Sequence, residues 1–356
     1  MGKSSKKTSP RVPKILRVPK TIRLGSDFSG LDTGHFAMKG LGARFENKFT
    51  SDLLKEARLF QAKITKPEKM FSNMLARKPD EEIEVDVYLW TPPCQDLSAA
   101  GTGAGFGGGQ QTGKLVARSL KFIKRRRPRL AVMEEVPRIL SKKYRAKLLG
   151  IVKTLKNAGY KVYFKTVNAK DCKVSQNRIR FFLVSIRADS LRHKFEWPKP
   201  CKPVPATSIL EPFNPKTDKV GRLPSNKRGK SLVKAACKSV LKKTRKDARK
   251  IPVLVDVDCT PKFATWGINQ AQTITRQRGG TGGPWVTSRG RKLTTEELLK
   301  FQGFDPALVP WKEIGVSKRQ IGQMIGNSVC PPVLGMVLSK AMLAAGLTSK
   351  ELAWKP

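Results

Sequence analysis

Histidine is almost missing from this chain, with two in 356 residues. The six cysteines (Cys94, Cys172, Cys201, Cys237, Cys259, Cys330) include no CxxC pair. Together these scarcities argue against a structural zinc site and against a disulfide framework. No metal is expected, and the thiols should be reduced, as in a cytosolic or nuclear setting. No apolar stretch resembles a secretory signal at the N-terminus, and none is expected to be long enough to span a membrane.

Acid is scarce as well: 27 Asp and Glu stand against 71 Lys and Arg, for a formal net charge of +44. Such an excess repels itself in a compact chain and makes most sense beside a polyanion, of which nucleic acid is the leading candidate. No acidic residue precedes Asp27, and residues 1–22 are rich in Lys, Arg, Ser and Pro, so they read as a disordered basic arm.

What is present is an alternation of strands and helices. Strands are expected at Ile22–Leu24, Gly42–Phe45, Val85–Trp90, Leu130–Met133, Lys161–Thr166 and Phe181–Ile186, with helices between them such as Ala146–Ala158. That order implies an α/β fold, a doubly wound and mostly parallel sheet with helices on both faces. Beyond Pro198 the texture turns to Pro, Gly and basic residues. Within it, Lys227 to Lys250 holds eleven Lys or Arg against one acid, Asp247. Leu232, Val233, Ala236, Val240 and Leu241 give this stretch an amphipathic helical spacing, suited to phosphate contact or simply to a solvated face. Ordered patterns return near Thr295–Gln302 and Pro332–Ala345. The expected organisation is an α/β unit at 23–189, a smaller unit at 190–316, and a C-terminal segment at 317–356 that returns to the first unit.

Several segments carry chemistry. Pro92-Pro93-Cys94-Gln95 follows the apolar run ending at Trp90 and precedes the glycine-rich stretch Gly101 to Gly109. A cysteine at the carboxyl end of a strand sits where such sheets bind ligands. Asp27-Phe28-Ser29-Gly30 is a turn of the kind that receives a nucleoside cofactor, and Glu46, at the end of the second expected strand, is placed to bind ribose hydroxyls. Glu134-Glu135-Val136 follows Leu130–Met133; a carboxyl there could stay protonated and donate a hydrogen bond, or pair with Arg125–Arg129. Gln176-Asn177-Arg178-Ile179-Arg180 puts two guanidiniums on one face of a strand by alternation. Gly326-Asn327-Ser328-Val329 is a tight turn running into a helix that begins with proline.

In this order, the segments resemble those of the cytosine-carbon-5 DNA methyltransferase family over most of residues 23–188 and 291–335. The resemblance extends to Arg291-Lys292-Leu293-Thr294 and Gln302-Gly303-Phe304. It implies S-adenosyl-L-methionine as cofactor and double-stranded DNA as partner. Cys94 would add to carbon 6 of a flipped cytosine, Glu134 would hold the ring nitrogen and exocyclic amine, and Arg180 would hold the carbonyl oxygen. Arg178 would support the Cys94 loop or a phosphate. Phe28, Ser29, Gly30, Glu46, Asn73, Pro93, Leu115, Asn327 and Ser328 would form the cofactor site, and Gln95, Ser98 and Gln176 would touch nucleic acid. A monomer is the family default, and a nuclear location, or wherever the DNA resides, is expected.

The chain departs from the family pattern at Asp32-Thr33, where glycines are usual, and at Glu135, where asparagine is usual. Leu97 stands for a phenylalanine, Thr112 for an arginine and Asn73 for an aspartate. Two other readings follow: an RNA (tRNA) cytosine-5 methyltransferase, against which the missing Cys-Phe-Thr segment argues, and a degenerate relic that binds DNA without the cofactor.

Overall fold

The computed structural model describes residues 17–93, 111–259 and 265–355. Cys94, Gln95, Leu97 and Ser98, the Gly101–Gly109 stretch and most of the basic arm lie outside the described residues.

The chain opens with β1 (Ile22–Asp27), α1 (Thr33–Gly40), β2 (Phe45–Ser51), α2 (Lys55–Phe60), β3 (Lys69–Phe71) and β4 (Val87–Trp90). It continues with α3 (Thr112–Arg126), β5 (Leu130–Glu135), α4 (Lys142–Asn157), β6 (Tyr160–Asn168), β7 (Gln176–Asn177) and β8 (Ile179–Arg187). Seven of these strands form one sheet in the order β3-β2-β1-β4-β5-β8-β6. All neighbours are parallel except that β8 runs antiparallel to both β5 and β6.

Alternation divides the apolar residues between two faces. Leu24, Val87, Leu89, Leu130, Val132, Phe182, Val184 and Ile186 share one core with α1 and the C-terminal helix. Tyr88, Trp90, Ala131, Met133, Phe181 and Leu183 share the other with α3 and α4. With both faces covered, the central β4, β5 and β8 carry near-continuous apolar runs, as a doubly wound sheet requires of its middle strands.

After a short α5 (Ala206–Ile209) come α6 (Lys227–Thr244), β9 (Val253–Val255), β10 (Trp266–Ile268), β11 (Ala271–Gln272), α7 (Arg276–Gly280), β12 (Trp285–Val286) and β13 (Arg291–Lys292). A second sheet has the order β10-β9-β12-β13, and β11 pairs with β7. Leu232, Val233, Ala236 and Val240 of α6 pack against Val253, Val255 and Trp285 of this sheet. The chain ends with α8 (Thr295–Gln302), α9 (Lys318–Asn327) and α10 (Pro331–Ala344). Val333, Leu334, Val337, Leu338, Ala341 and Met342 of α10 complete the core that covers β1, β4, β5 and β8.

Two expectations are corrected here. The run Lys318–Ala344 is long and apolar enough to cross a membrane by composition, so an apolar run of that length does exist; 83% of its richest window is buried inside the protein, as core helices are. The second strand was expected at Gly42–Phe45 but runs from Phe45 to Ser51. Its register shifts between Leu24 and Gly25, where Lys48 is passed over and Asn47 and Phe49 face successive β1 residues. A bulge of this kind breaks the two-residue period that sequence reading relies on.

α7 and α9 cross backbone to backbone. A Cβ on Gly279 would stand 1.9 Å from the Gly322 carbonyl oxygen, and one on Gly322 would stand 2.2 Å from the Gly279 oxygen. Glycine alone allows this approach. It fastens the small sheet's connecting segment to the helix that leads into the Gly326–Val329 turn.

Candidate active site

β1 ends in a turn whose geometry is set from below and from the side. Phe28 has φ 61°, a left-handed backbone for a non-glycine residue. Its carbonyl accepts the Thr91 hydroxyl at 3.1 Å, which ties it to the exit of β4. Beneath it the Asp27 carboxylate takes both terminal guanidinium nitrogens of Arg77, at 3.0 and 2.9 Å, and the Tyr88 hydroxyl at 2.5 Å. Arg77 is itself held between the rings of Phe49, Phe71 and Phe122, 4.9–5.2 Å from their centroids. This pair is completely buried, so each charge depends on the other.

The Ser29 amide donates to the Ser51 carbonyl at 3.0 Å and its hydroxyl meets Ser26 at 2.8 Å. The Gly30 amide donates to the Asp52 carboxylate at 2.7 Å. Space above the turn is open, since a Cβ on Gly30 would meet nothing within 4 Å.

The carboxylate at the end of β2 is therefore Asp52, not Glu46. Glu46 is the second residue of β2, exposed, and 3.5 Å from Lys48. Extending the strand to Ser51 carries its carboxyl end to Asp52, which also accepts the Leu54 amide at 2.9 Å. Burial raises the Asp52 carboxyl above its ordinary range against these hydrogen bonds. An acid directly after the strand was the available signal, and the bulge concealed it.

Asn73 follows β3 half-buried, with its side-chain oxygen accepting the Leu75 amide at 2.9 Å. Pro93 lies past β4, its carbonyl accepting from Thr112 at 3.3 Å, and Leu115 is buried on α3. The Gly326–Val329 turn reaches the same region, because the Thr33 hydroxyl donates to the Val329 carbonyl at 3.3 Å. Asn327 is exposed at the end of α9. Ser328 is buried and turns its hydroxyl back onto Ile325 at 2.7 Å, so its side chain serves the helix end rather than reaching outward.

Asp32 does not project into the open space over Gly30. Its carboxylate is buried, accepts Asn47 Nδ2 at 2.7 Å, and lies at the start of α1. Burial raises this carboxyl above its ordinary range, with His35 the main opposing influence. The departure from glycine at Asp32 is thus absorbed by Asn47 of β2.

At the other end of the site, β4 and β5 run side by side with Trp90 opposite Met133. Glu134 is the next residue along β5, beside the path that leads through Pro92 and Pro93 to Cys94. Arg180 Nε lies 3.1 Å from Glu134 Oε1, with both side chains mostly covered. The two share a face because Glu134 pairs with Phe182 across the antiparallel ladder and Arg180 lies two residues before it. Burial raises the Glu134 carboxyl, while Arg180 and then Arg178 pull it down. Arg125 is not its partner: that guanidinium pairs with Glu82.

Glu135 points to the opposite face and is 1% exposed. One carboxyl oxygen accepts the Val136 amide at 2.5 Å, and the other is buried without a partner among the described residues. Burial, with the neighbouring Glu134 adding to it, pushes this carboxyl well above its ordinary range.

Two of the expected site residues have other work. Arg178 falls between β7 and β8, so the alternation that would set it beside Arg180 is interrupted. It is 3% exposed, and its guanidinium donates to the carbonyls of Ile274 (2.9 Å), Gly326 (3.2 Å) and Ser328 (2.8 Å). It braces two backbone segments, one at Ile274 and one at the Gly326–Val329 turn. Gln176 is fully buried, not presented to nucleic acid. Its amide donates to Phe301 and Gln302 at 2.9 Å and accepts from Ile274 at 2.9 Å. In these surroundings the two polar groups are stabilised by the hydrogen bonds they make to buried groups of the protein.

The seven-stranded sheet, with an open turn after β1, a carboxylate after β2 and a carboxyl–guanidinium pair joining β5 and β8, is that of a Rossmann-like methyltransferase fold. The chain belongs to the C-5 cytosine-specific DNA methylase family, whose model matches residues 22–342. It is similar to the type II methyltransferase M.NgoBI of Neisseria gonorrhoeae, with 27% identity over 323 residues, 88% of this chain and 90% of the relative. Similarity to M.HaeII of Haemophilus aegyptius is 26% over 341 residues, 94% and 96% of the two chains. The Dnmt2 methyltransferase structure of S. pombe shares the fold with a TM-score of 0.61 at 15% identity, covering 90% of this chain and 98% of that one.

Proposed function

We propose that this DNA cytosine-5-methyltransferase works through Cys94, Glu134 and Arg180, with S-adenosyl-L-methionine as the methyl donor. The observation that carries the proposal is the Glu134–Arg180 pair, 3.1 Å apart beside the strand that leads to Cys94. The Cys94 thiolate attacks carbon 6 of a cytosine turned out of the duplex. The Glu134 carboxyl, which burial raises while Arg180 pulls it down, hydrogen-bonds the ring nitrogen and favours the charge that builds on the ring. Arg180 orients that carboxyl and faces the carbonyl oxygen of the base.

The residues around the first turn fit the cofactor. Phe28 offers a ring at a left-handed turn, open space lies above Gly30, and Asp52 presents a carboxylate suited to ribose hydroxyls. S-adenosylmethionine held there would supply the methyl group to carbon 5 and leave as its thioether; loss of the carbon-5 proton and elimination of Cys94 from carbon 6 would then restore the ring and free the thiolate. The route for Asp32 through Asn47 leaves that space clear, which supports an active enzyme over a relic.

The test is to incubate the protein with labelled S-adenosylmethionine and mixed-sequence duplex DNA or tRNA, beside Cys94→Ala. Label recovered as 5-methylcytosine in DNA, and lost in Cys94→Ala, is the expected result. Label in tRNA alone would move the substrate to RNA.

A further inference from the structure

We propose that the outward face of α6 is a sequence-independent footing for the phosphates of duplex DNA, separate from the residues that hold the target base. The inference rests on DNA being the substrate. α6 buries Gly229, Leu232, Val233, Ala236 and Val240 against the small sheet. At 100° per residue, the positions opposite that stripe are Lys227, Ser231, Lys234, Ala235, Lys238 and Lys242, with Lys230 at the flank. All five lysines are exposed. Ser231 and Ala235, interleaved at the crest, are small; Leu241, exposed at the C-terminal flank, is the one large apolar side chain on this face.

The charge on this face is unanswered. α6 contains seven Lys or Arg and no Asp or Glu. Among the described residues, no ion pair involves Lys227, Lys230, Lys234, Lys238 or Lys242. Asp247, the one acid of the following loop, is taken by Arg249 at 2.9 Å. Lys230, Lys234, Lys238 and Lys242 stand four residues apart, an arrangement of like charges that weakens an isolated helix. Their heads recur every ~6 Å along the helix, against a duplex that carries one charge per ~1.7 Å of axis.

The row is also stiff. Asn226 caps the helix by accepting the Gly229 amide at 2.6 Å, and Lys243 lies 5.3 Å over the Trp266 ring at the other end. Charges fixed on a packed helix need little ordering when they meet phosphates, which favours binding. A row of lysines carries no base-reading geometry, so it adds affinity and register rather than specificity.

The experiment uses the full chain. Kd for non-cognate duplex DNA is measured across a salt series for wild type and for Lys230→Gln/Lys234→Gln/Lys238→Gln/Lys242→Gln. Because the whole molecule is strongly basic, a control replaces four exposed lysines of α4, Lys142, Lys147, Lys153 and Lys156, by Gln. With ~0.9 counterion released per phosphate contact, the slope of log K against log salt should fall by up to ~3.6 in the α6 variant and little in the control. Methylation at low salt and saturating DNA should be retained by both. An equal fall in the two variants, or none in α6, would overturn the proposal, as would a loss confined to anionic vesicles. If the chemistry assigned to Cys94 fails instead, methylation is absent throughout while the difference in slopes is still read.

Discussion

Arg180 and Glu134 reach each other from two antiparallel strands, and neither is placed by its own neighbours in sequence. Arg180 sits near the start of β8, Glu134 near the end of β5, and the ladder brings them to 3.1 Å. A carboxyl raised by burial and steadied by one guanidinium is suited to hydrogen-bond the ring nitrogen of a base. Glu134→Gln should lower kcat for DNA methylation by about a hundredfold or more. Arg180→Ala should lower kcat/KM by a similar order while melting close to wild type. Single-turnover methyl transfer beside thermal melting separates the two readouts.

The turn after β1 leans on Asp52 rather than on Glu46. Asp52→Ala should weaken S-adenosylmethionine binding about tenfold or more, the order expected on losing hydrogen bonds to a charged group. Glu46→Ala should leave it unchanged. Isothermal titration with the cofactor decides between the two carboxylates.

Arg77 and Asp27 form a fully buried ion pair shut away from solvent. Arg77→Ala should destabilise the fold by about 3–5 kcal/mol, because Asp27 would be left charged among Phe49, Phe71 and Phe122. A double replacement that removes both charges should recover part of that loss in urea unfolding.

Glu135 gives the stability a pH dependence of definite sign. A carboxyl that binds its proton more tightly when folded contributes stability that is full below its ordinary value of 4.5 and is lost as pH rises through the folded value. Wild type should therefore lose melting temperature toward alkaline pH, and Glu135→Gln should lose less of it. Scanning calorimetry from about pH 5 to pH 9 compares the two slopes.

The crossing of α7 over α9 tolerates no side chain. Gly322→Ala should cost about 1–3 kcal/mol by forcing the backbones apart. The same change should raise protease sensitivity near Gly279 before it affects the large sheet.

The large sheet was legible because its strands are buried on both faces and read as apolar runs. Leu130–Met133 and Phe181–Ile186 lie inside β5 and β8, and Thr295–Gln302 is α8 to the residue, bounded by the Thr294 capping box and Gly303. β2 was displaced because FENKFTS is half polar and carries a bulge, so its period changes midway. α7 went unread because it is only five residues long and ends in two glycines, and it owes its helix to the Thr275 cap and to packing on α9. At the site, Glu134 and Arg180 were recognisable by motif. Gln176 was misassigned because a polar residue bound for buried backbone groups looks, in sequence, like one bound for a ligand.

α10 has a bearing on how the molecule comes to be made. It lies on the core that covers β1, β4, β5 and β8, yet it follows every strand of that sheet along the chain. The large sheet is translated more than a hundred residues earlier, with one apolar face awaiting its cover. During that interval the exposed face is a hazard for aggregation and a binding site for chaperones. Activity should therefore switch on late and abruptly in synthesis, and a chain stopped before Pro331 should be insoluble rather than merely slow.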